Sequence, residues 1–236
     1  MLKRLDFEYV APDLEKYYDE FWRKFLDIHG SDGGDAVERA WLATPVHRAR
    51  FGAVIGATEW VLDQMGAYGK AVGLEVGAGI GTMTRRLVPM FYRLYAADVS
   101  TVALDHIDAD DDHIITVKMS WKRPEGIFRK VGFPDVVIAS EVLEHMLRPR
   151  RFLRSAVKRS AAVVLSVPIT EDLNFHTFDL GRLGRERAAG DAVGHVWVMD
   201  WEGFIDEFLD GFTMLREPER VGVNGVAVLR GDLYAG

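Results

Sequence analysis

The amino-acid sequence predicts an α/β protein built on a doubly wound sheet of seven strands, mostly parallel, with a helical cap at the N-terminus. Three observations lead to this class. Short, almost continuously apolar runs alternate with helical segments, which is typical of parallel strands covered on both faces. A glycine-rich stretch follows the first run. Two strand-like segments joined by a Gly/Asn turn end the chain, and we expect the last strand to be antiparallel.

Residues 1–65 form the predicted helical cap. Residues 10–30 carry aromatic side chains at helical spacing and end at Gly30, a helix stop, and a second helical stretch runs from about residue 37 to residue 65. The aromatic side chains of the first helix either cover the functional site or pack in the core. They are Tyr17, Tyr18, Phe21, Trp22 and Phe25.

The second predicted unit, residues 66–236, carries the sheet. Its five apolar runs span residues 71–77, 94–100, 113–119, 135–141 and 161–168. A long insertion at residues 171–194 follows the fifth run, on the side where a substrate is expected to enter. The terminal strand pair turns near residues 223–225.

Composition restricts the chemistry that is open to this chain. The 236 residues include 48% hydrophobic residues, enough for a substantial core, and no cysteine. The lack of cysteine excludes disulfides, thiolate metal ligands and cysteine nucleophiles. No segment approaches the roughly 20 apolar residues that span a bilayer, and the N-terminus lacks an apolar signal core. We therefore expect a cytoplasmic protein.

The net charge disfavours one class of partner. It is −7, from 29 basic and 36 acidic residues. Proteins that follow a long phosphate backbone depend on Lys and Arg to neutralise it, so we expect no long nucleic acid as a partner. A small-molecule partner fits better, although the end of a short RNA remains compatible.

The glycine-rich stretch GLEVGAGIGTMTRRL lies where the first strand should turn into its helix. Glycines permit positive φ and close approach of a ligand to the backbone, and this end of an open α/β sheet is where ligands bind. Glu75 and the glycines at 77, 79 and 81 form an E-x-G-x-G-x-G pattern, which departs from the dinucleotide G-x-G-x-x-G spacing. The pattern resembles the first motif of class I S-adenosylmethionine-dependent methyltransferases.

The resemblance covers about residues 70–235 and implies a Rossmann-like methyltransferase fold with S-adenosylmethionine as cofactor. Gly77, Gly79, Gly81 and Glu75 are then expected at the cofactor. Asp98 ends the second run, 17 residues after Gly81, and is expected to accept hydrogen bonds from the ribose hydroxyls. A helix cap is the other interpretation of Asp98. Two residues that end the third run, Met119 and Ser120, are expected to flank the adenine.

The stretch SEVLEHM follows the fourth run and concentrates charge at a strand end. On one helical turn, Glu141, Glu144 and His145 would share a face and converge on one point. Two oxygen donors and one nitrogen donor suit a divalent metal. A metal-free alternative makes His145 a general base, and acids at a helix N-terminus are also stabilised without any function.

The same stretch resembles ubiquinone-biosynthesis O-methyltransferases and the small-RNA 3′-terminal 2′-O-methyltransferases. In the latter, a Glu-x-x-Glu-His cluster and a later histidine hold a metal. The resemblance implies Glu141, Glu144, His145 and His195 as ligands. With two carboxylates and no thiolate, Mg²⁺ or Mn²⁺ is the first expectation, and Zn²⁺, Fe²⁺ or Co²⁺ are alternatives.

The sequence as a whole predicts a metal-assisted S-adenosylmethionine-dependent O-methyltransferase that acts on a hydroxyl of a small molecule, such as a catechol or another vicinal diol. We expect His145 and Glu144 to carry the chemistry. Two alternatives are ribose 2′-O-methylation at an RNA 3′ end, and a non-catalytic subunit that binds the cofactor for a regulatory purpose.

Overall fold

The computed structural model describes residues 1–4, 14–29, 42–107, 111–169 and 197–234. The strands in these ranges are β1 (Leu2–Arg4), β2 (Val72–Val76), β3 (Arg93–Asp98), β4 (Ile114–Lys118), β5 (Val136–Ser140), β6 (Ala162–Pro168), β7 (Trp197–Met199), β8 (Met214–Val221) and β9 (Asn224–Arg230). The α-helices are α1 (Leu14–His29), α2 (Pro45–Gln64), α3 (Thr84–Leu87), α4 (Thr101–Leu104), α5 (Phe128–Val131) and α6 (Pro149–Val157).

Seven of these strands form one sheet in the order β4-β3-β2-β5-β6-β9-β8. The first five in this order pair in parallel, and β9 pairs antiparallel with both β6 and β8. The predicted doubly wound sheet with an antiparallel last strand is therefore confirmed. The order reverses between β2 and β5, and such a switch point opens a crevice at the carboxyl ends of the strands.

The sheet is buried on both faces. Neighbouring residues of β5 illustrate this, because Val137 belongs to one hydrophobic cluster and Ile138 to the other, and both are fully buried. Phe128 of α5 and Phe152 of α6 pack in the first cluster, whereas α2 and α3 cover the other face. Covering on both faces explains why the sequence of these strands is apolar throughout rather than alternating.

The connection after β5 differs from its prediction. A helical turn was expected to hold residues 141–145 together, but only a short 3₁₀ helix forms, at Leu143–His145. Glu141 precedes it with φ of 53°, in the left-handed region. Because Glu141 lies outside the helix, its side chain does not share a helical face with Glu144 and His145.

Only part of the predicted helical cap lies within the described residues. Helix α1 begins at Leu14, and α2 spans Pro45–Gln64, within the predicted second helix. Gly30, the insertion at residues 171–194 and His195 lie outside the described residues. No helix in the described ranges is long and apolar enough to span a membrane. The division into two units stays a prediction.

A buried carboxyl joins the first central strand to the following helix. Glu75 of β2 is 4% exposed, and its Oε2 accepts a hydrogen bond of 2.6 Å from Thr84 Oγ1 at the start of α3. Burial raises the pKa of Glu75 to about 8, and the nearby Asp98 carboxyl adds to the shift. Around neutral pH the folded chain therefore tends to hold a proton on Glu75.

The proton on Glu75 should make the free energy of unfolding depend on pH. Between the ordinary pKa of 4.5 and about 8, the folded state binds a proton that the unfolded state has lost. The free energy of unfolding should therefore fall as pH rises through this window, by up to about 1.4 kcal/mol per pH unit. Glu75→Gln keeps an acceptor for Thr84 and should flatten that slope, as measured by urea unfolding from pH 5 to pH 8.

The control is Glu59→Gln, which likewise replaces one carboxyl by an amide, but on the exposed face of α2. Equal slopes for the wild type and the Glu75→Gln variant would show that Glu75 does not take up a proton on folding.

Candidate active site

A cavity of about 450 Å³ lies where β2, β3 and β5 end. The sheet supplies one wall through the glycine loop and the turns after β3 and β5. Helices α1 and α2 supply the other, mainly with aromatic side chains. The cavity is thus at the switch point of the sheet, where ligands of open α/β proteins bind.

The glycine loop needs its glycines for conformation and for space. Gly77 and Gly79 have φ of 80° and 54°. A Cβ on Gly77 would lie 2.8 Å from Val142 Cγ2, and one on Gly79 would lie 3.1 Å from the ring of Trp22. The loop after β2 therefore touches the turn after β5 directly, and it exposes backbone toward the cavity.

Asp98 ties this loop to the end of β3. Its two carboxylate oxygens accept hydrogen bonds from Gly79 N (2.9 Å) and Ser100 N (2.8 Å). Burial raises the pKa of Asp98, while the backbone donors oppose the shift. Each oxygen keeps further lone-pair capacity, so the carboxylate can accept bonds from a ligand while it holds the loop.

Glu141 is held in its strained conformation by groups from three other elements. Its Oε1 accepts hydrogen bonds from Asn224 Nδ2 (2.9 Å) and Ser166 Oγ (3.4 Å), and its Oε2 lies 3.3 Å from Arg50 Nη1. Burial raises the pKa of Glu141, and the Arg50 charge acts against that effect. A non-glycine residue at positive φ costs of the order of 1–3 kcal/mol, and such strain is typical of functional sites.

Arg50 is a residue that the motif analysis missed. It lies on α2, its side chain is 9% exposed, and it lines the cavity. Its Nε is buried without a hydrogen-bond partner among the described residues. The sequence carried no clear signal for it, because apolar residues occur around the whole of α2 and only the structure shows that Arg50 is buried together with Phe51, Val54 and Thr58. A guanidinium in an apolar register is costly unless an anion or a ligand meets it.

Glu144 and His145 are adjacent but have different surroundings. Glu144 is 1% exposed and does not line the cavity. Burial raises its pKa well above the ordinary value, and the Glu141 carboxyl contributes to the shift. His145 lines the cavity, and its Nε2 lies 3.7 Å from Glu144 Oε1.

Helix α1 forms the aromatic wall that faces His145. The Tyr18 hydroxyl lies 3.1 Å from His145 Nδ1, and Trp22 lies over Gly79. Asp19 fastens this helix, because its Oδ1 accepts hydrogen bonds from Ser100 Oγ (2.6 Å) and Val102 N (3.3 Å). Tyr18 and Trp22 therefore line the cavity, and Trp22 also packs in a buried hydrophobic cluster, so both interpretations of the N-terminal aromatic residues stay open.

The structure brings most of the predicted cofactor residues to the cavity. Those that line it are Glu75, Gly77, Gly79, Asp98 and Met119. Gly81 and Ser120 do not line it, and Ser120 is exposed. Trp121, one residue further along the chain, lines the cavity instead.

The described members of the predicted metal site do not fit a divalent ion. Glu141 faces the Arg50 cation, which would repel a second cation, and Glu144 is buried away from the cavity. Within the described ranges, no three His, Asp or Glu side chains are grouped so that they could hold a metal. His195 lies outside those ranges. We therefore derive no chemical step through a metal.

Comparison with known proteins identifies the family. A profile described as "Methyltransferase domain" matches residues 36–210, which is more than half of the chain. No curated protein sequence matches the chain.

Solved structures share the fold at low sequence identity. The magnesium protoporphyrin IX methyltransferase of Synechocystis PCC 6803, solved with bound S-adenosylhomocysteine, is 14% identical with a TM-score of 0.58 over 93% of this chain and 98% of that one. An N-methyltransferase of Bradyrhizobium japonicum WM9, also solved with S-adenosylhomocysteine, is 18% identical with a TM-score of 0.60 over 92% and 99% of the two chains.

A third similar structure is the DszA carbon methyltransferase, which is 19% identical with a TM-score of 0.60. The match covers 88% of this chain and 60% of that one. Since these structures include a nitrogen and a carbon methyltransferase, the shared fold does not specify the acceptor atom. The family match shows that the chain belongs to the methyltransferase domain family. Together with the fold, it identifies the chain as a class I S-adenosylmethionine-dependent methyltransferase.

Proposed function

We propose that this methyltransferase transfers the methyl group to a hydroxyl of a small molecule and that His145 removes the hydroxyl proton. The observation that carries the proposal is the position of His145, whose imidazole lines the same cavity as the glycine loop and Asp98. A base at this place suits a hydroxyl acceptor, because a neutral hydroxyl is a poor nucleophile near pH 7 and must lose its proton on methylation.

The chain's own groups fit S-adenosylmethionine in several respects. The backbone at Gly77 and Gly79 is open toward the cavity, and the Asp98 carboxylate can accept bonds from a ribose diol. Thr82 Oγ1 and Arg50 Nε are buried at the cavity wall without hydrogen-bond partners in the described part of the chain. A polar ligand would satisfy both groups and so offset the cost of burying them.

Arg50 is proposed to bind the carboxylate at the amino-acid end of the cofactor. It is the only Lys or Arg among the described residues that line the cavity, so it is the natural partner for an anionic group there. The guanidinium has five N–H donors, and Glu141 contacts it only at Nη1. Arg50 would then join the cofactor end of the cavity to the strained turn after β5.

The bound cofactor supplies an electrophilic methyl group attached to a positively charged sulfur. His145 lies at the end of the 3₁₀ helix, where its ring can meet an acceptor that enters the cavity. We expect the aromatic side chains that line the cavity to hold an apolar acceptor in place, and positioning of this kind supplies much of the rate. The cavity therefore favours a small, largely apolar acceptor with an ionisable hydroxyl, such as a phenol or a catechol.

Removal of the Arg50 charge tests its role. In the double variant Arg50→Gln/Glu141→Gln, the Glu141 carboxylate is not left buried without its cation. We expect the affinity for S-adenosylhomocysteine to fall about 10- to 100-fold, since hydrogen bonds to charged groups contribute roughly 1.5–3 kcal/mol. The affinity for 5′-methylthioadenosine, which lacks the amino-acid end, should stay unchanged in calorimetry. An equal loss for both ligands would place the carboxylate elsewhere.

Substitution of the proposed base separates chemistry from binding. His145→Gln should lower kcat about 10²- to 10⁴-fold, the usual contribution of a general base, and leave the affinity for S-adenosylhomocysteine unchanged. Turnover is followed by mass spectrometry of the methylated product from a panel of phenols, matched anilines and catechol. Full activity of the variant, or methylation of the anilines only, would contradict the proposed O-methylation.

Metal removal provides a further test. The donor set described above leads us to expect undiminished turnover after treatment with EDTA, because the Arg50 cation already neutralises Glu141. Loss of activity in EDTA with recovery on addition of Mg²⁺ or Mn²⁺ would instead support the four-ligand site with His195.

A further inference from the structure

Helix α1 brings a side chain of the N-terminal segment to the proposed base. Tyr18 and His145 are separated by 127 residues, yet the Tyr18 hydroxyl lies 3.1 Å from His145 Nδ1. The two rings meet edge to face, with centroids 6.0 Å apart and planes at 87°. We propose that Tyr18 is a positioning residue that holds the His145 imidazole at the acceptor, and that Asp19 and Trp22 keep Tyr18 in place by fixing α1 to the cofactor loops. The inference rests on the proposed role of His145.

The contact fixes the orientation of the imidazole. A phenol hydroxyl can donate or accept, so it can bond to Nδ1 in either neutral tautomer. When the proton is on Nδ1, the Tyr18 oxygen accepts a hydrogen bond from Nδ1–H, and Nε2 keeps its lone pair. His145 needs such support because it ends a 3₁₀ helix of only three residues, which has little regular structure of its own to hold the ring.

The neighbours of Tyr18 make its position well defined. One helical turn along α1, Trp22 is 6% exposed and lies over Gly79, where a Cβ would be 3.1 Å from its ring. Between them in sequence, Asp19 accepts a hydrogen bond from Ser100 Oγ and another from Val102 N. The same Ser100 donates its N–H to Asp98. Hydrogen bonds therefore connect Asp98, the expected partner of the ribose, through Ser100 to Asp19. Asp19 is next to Tyr18 in the chain, and Tyr18 in turn contacts His145.

An ion pair assists at the start of the helix. Glu15 Oε2 lies 3.7 Å from Lys118 Nζ at the end of β4. Both side chains are partly exposed, so this pair contributes little to stability by comparison with the buried contacts of Trp22. Helix α1 is thus attached to three strand ends, and Tyr18 links it to the turn after β5.

The direct test uses the full chain without any ligand. Histidine residues are labelled with ¹⁵N, and the ring signals of His145 are assigned by their loss in His145→Gln. Tyr18→Phe removes only the hydroxyl and should shift the His145 ring signals while those of the other histidines stay in place. The matched control is Tyr68→Phe, at an exposed tyrosine outside the cavity, which should leave all the signals unchanged.

A second variant keeps Tyr18 but loosens the helix. Asp19→Asn weakens the acceptor for Ser100 and Val102, and it should shift or broaden the same His145 signals and change the fluorescence of Trp22. Unchanged His145 signals in Tyr18→Phe, when the variant is folded by its melting temperature, would overturn the inference. If Tyr18→Phe does not fold, the Asp19→Asn signals decide in the same way.

Kinetics then show whether the contact serves the reaction. With S-adenosylmethionine and catechol, Tyr18→Phe should lower kcat about tenfold, the loss expected for one neutral hydrogen bond, and leave both KM values nearly unchanged. A change in KM alone would contradict a positioning role. If the chain methylates no phenol, the proposed function fails, whereas the ring signals still decide the Tyr18–His145 contact.

Discussion

The contact between Gly77 and Val142 is the constraint on which the site depends. β2 and β5 are adjacent and parallel, so their carboxyl ends meet although many residues separate them in sequence. A Cβ at Gly77 would lie 2.8 Å from Val142, and the lack of that atom lets the two turns touch. The glycine that opens the loop after β2 thereby also makes room for the turn after β5, which carries Glu141 on one side of Val142 and His145 on the other.

Two further features follow from this close packing. The turn after β5 is too tight for a regular helix, and Glu141 takes positive φ and depends on Arg50, Ser166 and Asn224 for support. His145 then projects from a short 3₁₀ helix and is met by Tyr18 from across the cavity. In the proposed mechanism, Arg50 and Tyr18 link the two helices of the N-terminal region to the cofactor and the base respectively, although neither residue belongs to the sheet.

The sheet could be predicted from sequence because its signal is local. The apolar runs at 71–77 and 135–141 became β2 and β5 within one residue at each end, since strands covered on both faces must be apolar along their whole length. The glycine spacing and the carboxylate after the second run likewise placed Gly77, Gly79 and Asp98 at one cavity. Each of these positions is fixed by its own strand end.

The conformation after β5 could not be predicted in this way. Helical geometry placed Glu141, Glu144 and His145 on one face, but the direction of Glu141 is set by Arg50 and Asn224, which are 91 and 83 residues away in sequence. Tyr18 was one of several aromatic residues at helical spacing, and only the packing of α1 distinguishes it from Tyr17 or Phe21. Long-range contacts of this kind leave no periodic pattern in a single sequence.

The most direct test of the account is a crystal structure of the protein with S-adenosylhomocysteine. We expect electron density for the ribose at Asp98, for the amino-acid carboxylate at Arg50, and for the sulfur facing the side of the cavity that holds His145 and Tyr18. A ligand bound with its carboxylate away from Arg50, or with its sulfur turned away from His145, would contradict the proposed arrangement of cofactor and base.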